Sequence, residues 1–235
     1  MALALIGCKV NDAAKSRSTL DRSSAPMPDS SMMSTHSEAE KVPLADVLPA
    51  ADKRPVIACF GDSITAGYGL DYEESYPTDL QADLDGMGYH YRVVNAGISG
   101  ETTKDALARV DKVVAMKPAI VVVEFGGNDG LRGVPLSESR TNLDSVLGAL
   151  KAGGAQIALA GITLPPQYGP EYIQQFNAMY PALAKKYNAR MTPFVLQGAY
   201  GTAGDIQRDG IHPTAAGAKV VAQNVLKLIQ PMLKK

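Results

Sequence analysis

The sequence contains no tryptophan, only three histidines and only two cysteines among its 235 residues. The two cysteines, Cys8 and Cys59, lie far apart and are not spaced like metal ligands, so we expect neither a structural metal site nor a disulfide framework. The formal net charge of −1 offers no basic surface for nucleic acid. No apolar run reaches the roughly 18 residues of a membrane-spanning helix. We therefore expect a globular protein without a metal, a cofactor or a nucleic-acid partner.

The N-terminal part of the chain differs in composition from the rest. Eight serines lie between Ser16 and Ser37, the charges are mixed, and no helical or strand period is sustained. Such a segment buries too little apolar surface to offset the entropy lost on ordering the chain. We predict a disordered, serine-rich segment over residues 1–54 and one folded domain over residues 55–235.

The stretch Leu5-Ile6-Gly7-Cys8 resembles a bacterial lipobox, in which the cysteine becomes the lipidated first residue of the mature protein. No basic region precedes it, and the apolar run is shorter than that of a signal peptide. Two alternatives stay open. In one, the true start lies upstream and Cys8 tethers a periplasmic lipoprotein to a membrane. In the other, the match is a chance one in the tail of a cytoplasmic protein with a free cysteine.

From Pro55 onward, short runs with strand character alternate with helical patterns. The run Ile120–Val123 is apolar on both faces, which is typical of a central strand in a parallel sheet covered by helices. The alternation predicts βαβ units and a three-layer α/β/α sandwich. The predicted strands are Val56–Phe60, Tyr91–Asn95, Ala119–Phe125, Gln156–Gly161 and Arg190–Val195. The predicted helices are Tyr76–Asp85, Thr102–Met116, Ser137–Lys151, Glu171–Tyr187 and Thr214–Leu233.

Polar, glycine-rich clusters follow the first three predicted strands: Gly61-Asp62-Ser63, Gly97-Ile98-Ser99-Gly100 and Gly126-Gly127-Asn128-Asp129. Ligands of open α/β sheets bind at the carboxyl ends of the strands, so these three loops should converge on one cleft. Far downstream, Asp209-Gly210-Ile211-His212-Pro213 brings an aspartate and a histidine three residues apart. Together the four clusters predict a serine hydrolase.

The chemistry of acyl transfer assigns a role to each of these residues. A serine hydroxyl is a weak nucleophile and needs a base that a third group orients, which Ser63, His212 and Asp209 can supply. Donors for the developing oxyanion are the N–H groups of Ser63 and Gly100 and the side chain of Asn128. The structural alternatives are a helix N-cap for the serine and ordinary loop roles for the glycine and the asparagine.

The four clusters, in this order, resemble the blocks of the GDSL/SGNH hydrolases over essentially all of residues 55–235. The resemblance is especially close to the bacterial periplasmic multifunctional thioesterase/lysophospholipase/arylesterase group, with one aliphatic exchange, Ile64 in place of leucine. It implies Ser63 as nucleophile, His212 as general base and then acid, and Asp209 as its orienting carboxylate. It also implies a flavodoxin-like sheet of five parallel strands in the order 2-1-3-4-5.

In related enzymes the loops that correspond to residues 130–135 and 163–169 border the acyl pocket. We therefore predict that Leu131, Val134, Leu164 and Tyr168 line the pocket, with packing beneath the loops as the alternative. The expected function is a serine esterase that hydrolyses aryl and short-to-medium fatty-acyl esters, with acyl-CoA and lysophospholipid as further substrates. The alternatives are a carbohydrate or cell-envelope O-acetyl esterase on the same fold, and a non-catalytic tethered binding module.

Overall fold

The computed structural model describes residues 52–235 of the chain. Five strands form one parallel sheet in the order β2-β1-β3-β4-β5, which confirms the predicted architecture and strand order. Apart from its last three residues, the predicted disordered segment 1–54 lies outside the described residues, as does Cys8. The strands are β1 (Val56–Gly61), β2 (Arg92–Asn95), β3 (Ile120–Glu124), β4 (Gln156–Ala160) and β5 (Arg190–Thr192).

Five longer helices and two short ones connect and cover the strands. The longer ones are α2 (Tyr76–Gly86), α3 (Thr103–Ala115), α5 (Leu136–Ala152), α6 (Pro170–Tyr187) and α7 (Ala215–Ile229). The short helices α1 (Ser63–Ala66) and α4 (Gly127–Leu131) directly follow β1 and β3. Single 3₁₀ turns cover Tyr72–Glu74, Pro166–Tyr168 and Gln230–Met232. Within residues 52–235, no helix has both the length and the apolar character needed to cross a bilayer.

Two predicted elements extend at least three residues too far at their C-terminal ends, and a proline explains each difference. The predicted fifth strand reaches Val195, but β5 ends at Thr192 because Pro193 has no N–H for the ladder. The predicted last helix reaches Leu233, but α7 ends at Ile229 and gives way to a 3₁₀ turn that contains Pro231.

The core lies on both faces of the sheet. Every residue of β1 and of β3 is buried, as expected for central strands covered on both sides. Helix α2 packs with α7 in one layer, whereas α3 packs with α5, and α5 with α6, in the other. Large buried side chains, among them Phe60, Tyr76 and Phe125, fill the space between sheet and helices.

The order of the strands fixes where a site can form. The chain passes from β1 to β2 at the sheet edge and then returns to the other side of β1 for β3. The connections after β1 and β3 therefore diverge at their carboxyl ends and leave a crevice, which is where open α/β sheets bind ligands. Ser63 follows β1 at this crevice, and Asn128 follows β3.

Candidate active site

Ser63 is presented by a tight turn at the end of β1. Asp62 is the N-cap of α1, and its Oδ1 accepts the N–H of Ile64 at 3.1 Å. The helix ends at once because Gly67 adopts a left-handed conformation (φ 81°), and the N–H groups of Gly67 and Tyr68 both donate to the carbonyl of Ser63. Ser63 is thus held at the first position of a four-residue helix, where its own N–H has no intrahelical acceptor.

His212 lies in a loop whose backbone is closed by hydrogen bonds. The N–H of Gln207 donates to the carbonyl of His212 at 2.8 Å. Oδ1 of Asp209 accepts the N–H groups of Ile211 at 2.9 Å and His212 at 3.0 Å. The carboxylate therefore organises the loop with one oxygen and keeps the other for the histidine ring.

Ser63, His212 and Asp209 are brought together by two side-chain hydrogen bonds. Nε2 of His212 lies 2.8 Å from Oγ of Ser63, and Nδ1 lies 2.6 Å from Oδ2 of Asp209. The imidazole is buried, with 4% of His212 exposed. Although partial burial works to raise it, the pKa of Asp209 is lowered, because the His212 ring and two backbone N–H groups bind the charged carboxylate. The arrangement can take a proton from the serine hydroxyl.

Two backbone donors face no protein acceptor near Ser63. Among the hydrogen bonds of residues 52–235, none is donated by the N–H of Ser63 or of Gly100. Gly100 has φ 82°, a left-handed conformation that favours glycine. Both N–H groups are thus available to a ligand.

The side-chain amide of Asn128, the third predicted oxyanion donor, is already engaged. Its Nδ2 donates to Oδ2 of Asp62 at 3.2 Å and to the carbonyl of Glu101 at 2.9 Å. Asn128 is 8% exposed, so these two bonds fix the orientation of its amide group. The second bond directs one amide hydrogen toward the residue that follows Gly100.

Glu124, at the end of β3, supports the turn that carries Ser63, and no sequence motif pointed to it. Its Oε2 accepts the hydroxyl of Thr65 at 3.0 Å and the N–H of Asp62 at 3.4 Å, which flank Ser63 on either side. Glu124 is fully buried, and Oε1 has no hydrogen-bond partner within residues 52–235. Burial, together with the nearby charge of Asp62, raises the pKa of Glu124 well above its ordinary value. The one visible signal was an acidic residue closing an otherwise apolar run.

Because the pKa of Glu124 is raised in the folded state, its contribution to stability is complete below the unfolded pKa and is lost as pH rises toward the folded one. Glu124→Gln keeps an acceptor and a donor of the same shape but cannot ionise. We expect its free energy of unfolding, relative to wild type, to increase between pH 5 and pH 8, measured by urea denaturation. Glu124→Leu leaves the buried N–H of Asp62 unpaired, which should cost about 1–3 kcal/mol, whereas the Thr65 hydroxyl keeps the Tyr76 hydroxyl as a partner at 3.2 Å. A glutamine variant that loses relative stability toward pH 8 would contradict a neutral Glu124.

Arg109 of α3 is a second supporting residue that the sequence analysis missed. Its Nε lies 2.9 Å and 2.7 Å from the two carboxylate oxygens of Glu101, and its Nη2 donates to the carbonyl of Gly61 at 3.3 Å. The guanidinium also lies 4.6 Å from the ring centroid of Phe60. The side chain thereby links the Gly100 loop to the strand that leads into Ser63, and a single arginine in a helix gives no sequence signal of such a contact.

The four predicted pocket residues lie in α4 or next to it, in different degrees of burial. Leu164 is 4% exposed and packs against the backbone of Gly130, whereas Leu131, Val134 and Tyr168 are half-buried. The hydroxyl of Tyr168 donates to the carbonyl of Leu131 at 3.0 Å. Leu164 also borders an open apolar groove of about 770 Å³ along α6, which none of Ser63, His212 and Asp209 lines. Contact of these four residues with a substrate stays a prediction.

Comparison with known proteins identifies the family. The model of the GDSL-like lipase/acylhydrolase family matches residues 59–220, a range that contains the turn of Ser63 and the loop of His212. This chain belongs to that family.

Named relatives of this GDSL-family hydrolase are esterases. This chain is 45% identical to esterase TesA of Pseudomonas aeruginosa over 174 residues, which cover 74% of this chain and 87% of the relative. It is 37% identical to thioesterase 1/protease 1/lysophospholipase L1 of Escherichia coli, covering 74% of this chain and 82% of the relative. The crystal structure of TesA matches with a TM-score of 0.73 at 44% identity, covering 76% of this chain and 99% of that one. The GDSL-family chain is therefore a serine hydrolase of acyl esters.

Proposed function

We propose that the chain hydrolyses carboxylic esters and thioesters through an acyl-Ser63 intermediate, with His212 as general base and then acid and Asp209 as its orienting carboxylate. The observation that carries the proposal is the unbroken pair of hydrogen bonds, 2.8 Å from Ser63 to His212 and 2.6 Å from His212 to Asp209. A serine hydroxyl is activated for acyl transfer when a base lies within hydrogen-bond distance of it and a third group orients that base.

In the acylation step, Oγ of Ser63 attacks the acyl carbon while Nε2 of His212 takes the hydroxyl proton. Asp209 then faces an imidazolium across Nδ1 and stabilises its charge. The tetrahedral intermediate collapses as His212 returns the proton to the departing alcohol or thiol, which leaves the acyl group on Ser63. Water, activated by the same imidazole, attacks the acyl carbon and releases the acid, and His212 returns the proton to Oγ.

The developing oxyanion is held by the N–H groups of Ser63 and Gly100 and by the side chain of Asn128. The two backbone donors are free of protein acceptors, which suits this role. One amide hydrogen of Asn128 donates to the Glu101 carbonyl, and the oxyanion accepts this same hydrogen in addition to that carbonyl or in its place. The bond to Asp62 keeps the amide nitrogen, not its oxygen, toward the cleft.

Asn128→Ala should lower kcat by about 10²- to 10³-fold with little change in KM, because an oxyanion donor acts in the transition state and hardly at all on bound substrate. Steady-state hydrolysis of p-nitrophenyl butyrate measures both constants. Asn142→Ala is the matched control, since this asparagine donates to Thr103 from α5 and takes no part in the proposed site. A variant with an increased KM and an unchanged kcat would assign Asn128 to substrate binding instead.

Aryl esters and fatty-acyl esters or thioesters of short to medium length are the proposed substrates. The names of the relatives, esterase and thioesterase/lysophospholipase, support this range. So do Leu131, Leu164 and Tyr168, which pack with the apolar core in and next to α4 and offer an apolar border for an acyl chain. Val134 is half-buried and follows α4.

Hydrolysis of p-nitrophenyl esters from acetate to dodecanoate, alongside octanoyl-CoA and a lysophospholipid, tests the substrate range. Rates that rise from acetate to a medium-length chain support it. Preference for acetate, combined with activity on acetylated sugars, would favour the cell-envelope O-acetyl esterase. Rates in wild type no higher than in Ser63→Ala would leave the non-catalytic binding module.

For location, the lipobox-like stretch before Cys8 supports a periplasmic protein tethered to a membrane through this cysteine. Mass spectrometry of the protein from its native cells should then find an acylated Cys8 at the mature N-terminus. A mature chain that begins at an unmodified Met1 or Ala2 would contradict the tether and favour the cytoplasmic alternative.

A further inference from the structure

The aromatic ring of Tyr68 lies against the imidazole of His212. The two ring centroids are 4.6 Å apart and the ring planes are inclined by 41°. Tyr68 is 37% exposed, whereas His212 is 4% exposed, so the tyrosine stands between the histidine and solvent. The turn that carries Ser63 and the loop that carries His212 are closed by backbone hydrogen bonds and by the carboxylates of Asp62 and Asp209, and neither uses the side chain of Tyr68.

The backbone on both sides of this ring contact is fixed. The N–H of Tyr68 donates to the carbonyl of Ser63 at 3.0 Å, which ties the tyrosine to the nucleophile turn. The side-chain amide of Gln207 donates to the carbonyl of Tyr68 and to that of Pro213, both at 2.8 Å. Gln207 therefore joins the two segments that carry the rings, so the contact between the rings follows from the fold around the site.

We propose that Tyr68 is a positioning residue of the esterase, whose ring stabilises the protonated form of His212 and holds the imidazole in line with Ser63. The inference rests on the proposed function, in which His212 becomes an imidazolium during each half-reaction. A cation within about 6 Å of an aromatic centroid is attracted by the negative face of the ring, and the attraction grows when water is excluded. Tyr68 thus acts on the charged intermediate state through His212, without touching the substrate.

The other charged and titratable groups that face His212 are the same in every variant at position 68. Asp209 binds Nδ1 from the same loop, Asp62 acts on the imidazole from the turn after β1, and the Ser63 hydroxyl lies on Nε2. None of them belongs to the side chain that is replaced. A difference between variants at position 68 therefore reports on the ring contact.

Two effects of removing Tyr68 oppose each other, so the choice of variant decides the sign. Losing the aromatic face disfavours the imidazolium, whereas opening the histidine to water favours it. Tyr68→Leu retains an apolar cover and removes the aromatic face, and Tyr68→Phe retains both. Tyr68→Met, also apolar and not aromatic, serves as a second test of the leucine result.

The experiment measures the NMR titration midpoint of the His212 ring in the free protein, together with the pH profile of kcat/KM for p-nitrophenyl butyrate. The chain has three histidines, so the His212→Asn spectrum assigns the signal. We expect the leucine and methionine variants to titrate about half a pH unit below wild type, with the acid limb of kcat/KM shifted equally. We expect kcat to fall about threefold at unchanged KM. The phenylalanine variant should match wild type.

Equal midpoints for leucine, phenylalanine and wild type would overturn the inference, as would a shift shared by phenylalanine and leucine. The titration needs no turnover and therefore separates this inference from the proposed function. A lowered midpoint in the leucine variant, in a protein without Ser63-dependent esterase activity, would uphold the ring contact and refute the proposed function alone.

Discussion

Replacing Ser63 with alanine should lower kcat for p-nitrophenyl ester hydrolysis by about 10⁴- to 10⁶-fold, the loss seen when the nucleophile of a serine hydrolase is removed. The residual rate comes from the oxyanion donors and from binding, which the substitution leaves in place. The fold should persist, because within residues 52–235 Oγ of Ser63 is hydrogen-bonded to His212 alone, while the turn itself is closed by backbone bonds. Assays at high enzyme concentration, followed for hours, measure the residual turnover of the variant.

Ser99→Ala is the matched control for this loss. Ser99 is an exposed serine in the loop that also carries Gly100, so its hydroxyl lies near the same crevice without a place in the proposed chemistry. It should retain wild-type kcat, and the thermal unfolding midpoints of the two variants should agree with that of wild type. Wild-type turnover by Ser63→Ala would refute the acyl-serine mechanism outright.

Replacing His212 with alanine should be nearly as damaging, because without a base the Ser63 hydroxyl is not deprotonated at neutral pH. More telling is the double variant Ser63→Ala/His212→Ala, which should be no slower than either single variant. Groups that act as one unit lose their whole contribution with the first substitution, so the second removes nothing further. Single-turnover rates for the three variants, measured at the same pH, test this non-additivity.

His90→Ala supplies the control, since His90 is exposed and lies before β2. It should behave as wild type in every assay. A double variant slower than wild type by the product of the two separate losses would mean that Ser63 and His212 act independently. The hydrogen bond of 2.8 Å between them would then be a structural contact only.

Much of the fold follows from patterns that are local in sequence. A run such as Ile120–Val123, apolar on both faces, predicts a central strand of a parallel sheet that helices cover on both sides. The helices α2, α3, α5 and α6 end within one residue of their predicted bounds because each carries a sustained helical period. The short helices α1 and α4 span four and five residues, too few for any period, and were not predicted.

The predicted site residues meet for a topological reason. Loops at the carboxyl ends of adjacent parallel strands lie at the same edge of the sheet. The sequence alone therefore places Ser63 and Asn128 in one crevice. The supporting residues could not be predicted from the sequence. The contacts of Glu124 and Arg109 with the Ser63 turn, and the approach of Tyr68 to His212, depend on packing between segments that are distant in sequence. Their side chains carry no motif of their own.

Covalent trapping of the nucleophile tests the mechanism most directly. The protein is incubated with a p-nitrophenyl alkylphosphonate, whose tetrahedral phosphorus reacts with an activated serine and is then hydrolysed slowly. We expect one equivalent of p-nitrophenolate per chain, with the phosphonyl group found by peptide mass spectrometry on Ser63 and absent from Ser63→Ala and His212→Ala. Label on a different residue, or full esterase activity in a protein whose Ser63 carries the phosphonyl group, would contradict Ser63 as the nucleophile.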